Sequence, residues 1–142
     1  MQIIFGIIAE LISLLLCLFP GSTVTEIRNN LDIDIKPYQI EFHEDTHGGF
    51  HGDGEEIIIF RPTAEQIEKI EAKWQKTPVD PGIAPLIFPE TEYNGLELIK
   101  HIPKSDGYWF YKNRADFISG YAYNFSFALF DGEKVFYYEL DT

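Results

Sequence analysis

Seventeen residues from Ile3 to Phe19 carry a single charge, Glu10, and end at Pro20-Gly21. A run this apolar must be kept from water, which leaves three outcomes: a membrane helix, a cleaved signal, or a helix inside a soluble core. As a helix the run extends about 26 Å, the lower edge of a membrane-crossing length. At 100° per residue, Gln2, Gly6, Glu10, Ser13 and Cys17 fall in one arc of roughly 80°, and bulky Ile, Leu and Phe cover the rest. Lipid outside and a polar seam within predict a membrane helix that associates through Gly6, Glu10 and Ser13, with itself or with another protein. A signal peptide fits less well, because no Lys or Arg precedes the run and Pro20-Gly21-Ser22-Thr23 lacks a small-x-small pair. Leu16 before Cys17 disfavours lipidation, and a lone cysteine forms no disulfide framework. The first cations, Arg28 and Lys36, are outnumbered locally by Glu26, Asp32 and Asp34, so a membrane-anchored chain with an extracytoplasmic domain is expected. A secreted or a cytoplasmic chain is the alternative.

Beyond residue 20 the charge is strongly negative. Glu10 is the only charge in the first twenty residues, so the other 122 hold 11 Lys and Arg against 22 Asp and Glu, a net of −11. Such a surface repels nucleic acid and anionic lipid, and Arg28, Arg61 and Arg114 are too scattered to form a basic patch. It suits solubility, a basic protein partner or a bound cation.

The expected organisation is an apolar helix over 1–20, a linker over 21–37 and one α+β domain over 38–142. Tyr38 to Glu44 alternates with period two, which puts Tyr38, Ile40 and Phe42 inward and His43 toward solvent with Gln39 and Glu41. The unbroken Ile57-Ile58-Ile59-Phe60 predicts a strand buried on both faces. Thr63-Ala64-Glu65-Gln66 is a capping box, and Ile67, Ile70 and Trp74 recur at helical spacing, which predicts a helix from Thr63 to Lys76. Pro78, Pro81, Pro85 and Pro89 make the next stretch irregular, with Leu96 to Ile99 a short strand or helical turn. Tyr108 to Tyr111 reads as a strand. Phe125–Phe130 and Val135–Leu140 flank Asp131-Gly132, the strongest hairpin signal in the chain. Together these predict an antiparallel sheet of about five strands with one helix, 63–76, on one face.

Three of the four histidines fall within nine residues, in a run from His43 to Gly54 that also holds four glycines and several carboxylates. Imidazole and carboxylate ligate zinc and similar cations, so His47, His51 and Asp53, converging with Asp45 in an irregular loop, make a candidate metal site. If Gly48-Gly49 is a two-residue turn, residues whose numbers sum to 97 are opposed, and His43 and His47 share a face that His51 does not. The plainer reading is a glycine-rich hairpin with solvated histidines. Asp45 with Asp53 is the carboxylate pair best suited to acid–base work. No Gly-x-Ser-x-Gly, phosphate-binding loop or His-Glu-x-x-His occurs, so the chain reads as a binding protein before an enzyme. Aromatics at Tyr108 to Tyr111, Tyr121 and Tyr123 belong more naturally to a sheet core than to a ligand groove.

The run Asp45-Thr46-His47-Gly48-Gly49-Phe50-His51-Gly52-Asp53-Gly54 resembles one in small uncharacterised proteins of Gram-positive bacteria. The closing hairpin before Glu139-Leu140-Asp141-Thr142 is similar too. The resemblance covers these two patches and implies a shared fold feature, with no activity, ligand or catalytic residue attached. Three functions are therefore in view. The first is a membrane-tethered domain that binds a protein or ligand through Asp45, His47, His51 and Asp53. The second is a metal-binding protein or metal-dependent enzyme using the same loop. The third, resting on size and acidity, is an immunity-type inhibitor of a basic toxin.

Overall fold

The computed structural model describes residues 7, 22–48, 52–90, 95–115 and 124–142. Its chain divides into two compact units, Met1–Ile35 and Lys36–Thr142.

In the first unit, helix α1 (Ser22–Leu31) occupies much of the stretch read as a linker. Val24, Ile27 and Leu31 are buried at helical spacing, which is what makes a ten-residue segment worth ordering as a helix. Asp32 ends it with a positive φ of 56°, a left-handed cap that Asp tolerates, and its N–H donates to the Arg28 carbonyl at 3.0 Å. Ile33 and Ile35 then alternate inward against exposed Asp32 and Asp34.

The expectation of a membrane-spanning helix is corrected: no helix among the described residues is long and apolar enough to cross a membrane. As a helix the run of seventeen residues would reach about 26 Å against a hydrocarbon core of about 30 Å, with Glu10 near its middle, which weighs against a span. Within that run only Ile7 is described, helical and 52 % exposed; the association seam of Gly6, Glu10 and Ser13 lies outside the described residues.

The second unit is α+β. Strands β1 (Ile40–Asp45), β2 (Gly54–Phe60), β3 (Gln75–Lys76), β4 (Tyr108–Asn113), β5 (Phe125–Phe130) and β6 (Val135–Asp141) form one antiparallel sheet in the order β1-β2-β6-β5-β4-β3. Six strands are found where about five are expected, the extra one being β3. The expected helix splits: α2 covers Ala64–Lys73, Trp74 leaves it in extended conformation, and Gln75 and Lys76 pair with Trp109 and Tyr108. Its start is as expected, for Gln66 N–H donates to Thr63 Oγ1 at 3.2 Å and Thr63 N–H to Gln66 Oε1 at 2.9 Å.

Tyr38 is corrected too. It is 82 % exposed in a 3₁₀ turn over Pro37–Gln39, while Gln39 is buried, its amide donating to the Arg61 carbonyl at 3.1 Å and to Gln66 Oε1 at 2.6 Å. The alternation holds only from Ile40 onward, because these long-range bonds outweigh the local pattern.

Both faces of the sheet bury apolar side chains. Ile57, Tyr138, Phe127 and Tyr111 lie in register across β2, β6, β5 and β4, and pack with Ile87, Leu98, Ile99 and Ile102 from the connection after β3. That connection contains a short helix, α3 (Ala84–Ile87), and a 3₁₀ turn, Leu98–His101. On the opposite face Trp74 meets Phe110, ring centroids 5.9 Å apart. β5 is buried along its whole length, so Phe125 to Phe130 could not have shown an alternating pattern. The β5–β6 hairpin closes through Asp131, whose carboxylate accepts from the N–H groups of Glu133 at 2.8 Å and Lys134 at 2.7 Å, with Gly132 at φ 98°.

Candidate functional site

The β1–β2 pairing opposes His43 to Ile58 and Asp45 to Glu56, residues whose numbers sum to 101. The connection is therefore a longer loop than the Gly48-Gly49 turn considered from sequence. Thr46 closes its base: its N–H donates to the Glu55 carbonyl at 2.8 Å and its hydroxyl accepts from Glu55 N–H at 2.8 Å. Gly54 is required here, because a Cβ would fall 2.6 Å from the backbone Cα and N of His47. That close approach sets where His47 sits.

His47 lies between two carboxylates. Nδ1 is 2.6 Å from Asp45 Oδ1 and Nε2 is 2.7 Å from Asp141 Oδ2, and its backbone N–H also donates to Asp45 at 2.8 Å. A neutral imidazole has one N–H, so satisfying both carboxylates requires the imidazolium. Partial burial alone would lower the His47 pKa, but the hydrogen bonds and charges of Asp45 and Asp141 outweigh it and hold it above the ordinary value. Asp45 moves the other way: burial raises it, but the His47 backbone and side chain together bring it below the usual carboxylate value.

The array continues through Arg114, just beyond β4. Its guanidinium donates to Asp141 Oδ1 at 2.9 Å, Ser126 Oγ at 2.7 Å and the Phe125 carbonyl at 2.9 Å. The buried Tyr137 hydroxyl lies 3.3 Å from Ser126 Oγ and hydrogen-bonds Glu139. Beside it, His43 Nε2 is 2.8 Å from Glu56 Oε2, and ligand atoms of His43, Asp45 and Glu56 all lie within 4.8 Å of one another. That donor set suits a divalent cation. Period-two geometry explains the grouping, since Asp45, Glu56, Glu139 and Ser126 are successive partners across β1, β2, β6 and β5 and share a face.

Of the four residues expected from sequence, the structure brings Asp45 and His47 together with Asp141. Asp53 is exposed and lines a neighbouring cleft of about 200 Å³ with Thr46, Gly54, Gly95 and Asp141. His51 lies outside the described residues, as do Tyr121 and Tyr123. Sequence reading missed Asp141 and Arg114. Their partners are 94 and 27 residues away, and only the charged side chain of Asp141 at the end of a strand marked it in advance.

Glu55, next to Glu56 on β2, points the other way and does something different. Its carboxylate accepts from the N–H groups of Glu97 at 3.0 Å, Leu98 at 3.2 Å and Ile99 at 3.3 Å, and from the Tyr138 hydroxyl at 2.9 Å. It holds the start of the 3₁₀ turn in place of a missing cap. Burial first, and the Glu55 charge second, push the Tyr138 phenol well above its usual value, so it stays a donor.

The chain matches no protein-family model, and comparison with curated proteins and with solved structures finds no match.

Proposed function

We propose that this chain is a binding domain that acts through the loop end of its sheet and takes a basic protein segment or cationic ligand. The observation that carries this reading is the Asp45–His47–Asp141 array. Its side chains are held by short hydrogen bonds, yet stay 23 to 40 % exposed beside the small cleft that Asp53 lines. Polar groups fixed before a partner arrives cost little further ordering on binding, and loops on a rigid sheet are where binding residues concentrate. The net charge of −12 favours a cationic partner by long-range attraction. Replacing residues 47–54 with Asn-Gly joins Thr46 to Glu55 in the existing register and removes the array. A basic partner captured by crosslinking on the native chain is expected to be lost from that variant. Retention of every captured partner would rule this reading out.

A second reading is favoured by the His43–Asp45–Glu56 grouping, namely that the same face binds a divalent cation. The expected result is metal retained after purification and a thermal shift with Zn²⁺ or Mn²⁺ that Glu56→Gln removes. Finding no metal by elemental analysis and no thermal shift on addition would exclude it.

A further inference from the structure

The sheet has two edges. β3 forms one with two residues, too few to template a neighbour, and β1 forms the other with six. Thr46 N–H donates to the Glu55 carbonyl at 2.8 Å, so the backbone of Thr46 is aimed at β2, and in an antiparallel pair this aim alternates from residue to residue. Phe42 and Glu44, opposite Ile59 and Ile57, therefore bond β2 as well, while His43 and Asp45 turn their N–H and C=O groups away from it. No described strand lies on that side of β1. The register irregularity between Ile40 and Phe42 is confined to the start of the strand, so the stretch from Phe42 to Asp45 stays regular. Pairing with β2 thus holds a row of backbone donors and acceptors in line for one more strand.

The side chains decide which strand. Edges are commonly blunted by Lys or Pro, and Ile40-Glu41-Phe42-His43-Glu44-Asp45 has neither. Its formal charge is of one sign. Glu41 is met by Arg61 at 3.0 Å and by Lys134 at 2.8 Å, whereas Glu44 is exposed with no ion-pair partner among the described residues, next to the half-exposed Asp45. The open negative charge therefore lies at the end of the edge that leads into the Asp45–His47–Asp141 array. A second copy of the chain brings the same net charge of −12, which opposes pairing of β1 with itself.

We propose that β1 accepts an extended, Lys- or Arg-bearing segment of another protein as an added strand, bonded to the backbone of His43 and Asp45 and selected by cations that meet Glu44 and Asp45. Backbone bonds give a grip that any sequence offers, so charge makes the choice. Only the incoming segment has to be ordered, because β1 is already extended. The proposal rests on the reading of this chain as a binder of a basic segment and adds how that segment lies.

The test is amide exchange of the whole chain, read by NMR, with a cyclic hairpin peptide whose open strand alternates Lys with Thr and Val. At saturating peptide, protection at His43 and Asp45 is expected to rise about tenfold, with Phe42 and Glu44 unchanged because β2 already bonds them. The same peptide with Glu for Lys is expected not to bind. N-methylation of the amides on the peptide's open edge is expected to abolish binding without any change to the protein. His43→Pro removes an outward N–H that β2 does not use, and is expected to bind about tenfold more weakly than His43→Ala, which loses the same imidazole and keeps the N–H. Peptide-induced shifts at His47 and Asp53 without protection at His43 and Asp45, or binding indifferent to N-methylation, would overturn strand addition and leave the loop reading standing. Failure of the Lys peptide to bind would overturn the proposal, and the loop replacement would then decide the broader reading alone. Dimerisation of the free chain that His43→Pro abolishes would give the edge to a second copy and overturn it too.

Discussion

Glu55 and Glu56 are neighbours on one strand, both buried, and belong to different worlds. Glu55 faces the core cluster and is met by three backbone N–H groups and a tyrosine that remains protonated. Glu56 faces the other side, next to His43 and the Asp45–His47–Asp141 array, where the partners are side chains, His47 among them. Backbone N–H groups cannot change their charge, so the Glu55 side is fixed by the fold. The loop side can respond to pH, to a cation or to a partner. A strand's period of two is enough to separate a scaffold from a candidate site by a single residue.

The comparison breaks first at Glu55. Glu55→Leu strands the buried N–H groups of Leu98 and Ile99 and the partly buried one of Glu97, and is expected to cost about 3–5 kcal/mol by chemical denaturation, more than Glu56→Leu; the reverse order would refute the assignment of roles. Arg114→Met comes next. It removes donors from Asp141, Ser126 and Phe125 at once and is expected to cost about 2–3 kcal/mol, measured in the same way.

The loop side is then sharpened by pH. His47 faces Asp45 on β1 and Asp141 on β6, with Arg114 behind Asp141 and Glu56 near Asp45. A raised folded pKa means the His47 contribution is complete below the ordinary histidine value and is lost as pH climbs through the folded one. Asp45, lowered, loses its contribution as pH falls through its own folded value. The protection of the Thr46 amide, the intrinsic exchange rate relative to its own, is expected to fall at both extremes, and His47→Gln to abolish the alkaline limb at a cost of about 1 kcal/mol. An unchanged alkaline limb in that variant would remove His47 as the titrating group. Least of all, Asp53→Asn is expected to shift stability within about 0.5 kcal/mol while weakening capture of a basic partner, since its side chain is exposed.

What could be read in advance was what neighbours in sequence decide. The Thr63–Gln66 box fixed the start of α2, and Asp131-Gly132 marked the β5–β6 hairpin, because both depend on residues one to three apart. The end of α2 was misplaced because Gln75 and Lys76 pair with β4, more than thirty residues on. Asp45 with His47 was legible as part of a Gly/His/Asp loop whose side chains converge. Asp141 and Arg114 were not, since their roles exist only once β6 lies beside β2 and β5. Glu55 looked like a polar residue at the start of a strand, and nothing local shows that a distant turn lacks a cap.

Strand order has a consequence for how the chain is made. β6 is the last strand in sequence yet lies between β2 and β5. During synthesis the β1–β2 hairpin emerges some eighty residues before its inner neighbour, and β4 and β5 likewise wait with one edge bare. Until residues 135–141 leave the ribosome, Ile57 to Phe60 is an unpaired, wholly apolar strand edge, the sort of surface that chaperones bind and that aggregates when they do not. Closure of this sheet is thus a single late event, timed by translation as much as by the stability of any contact within it.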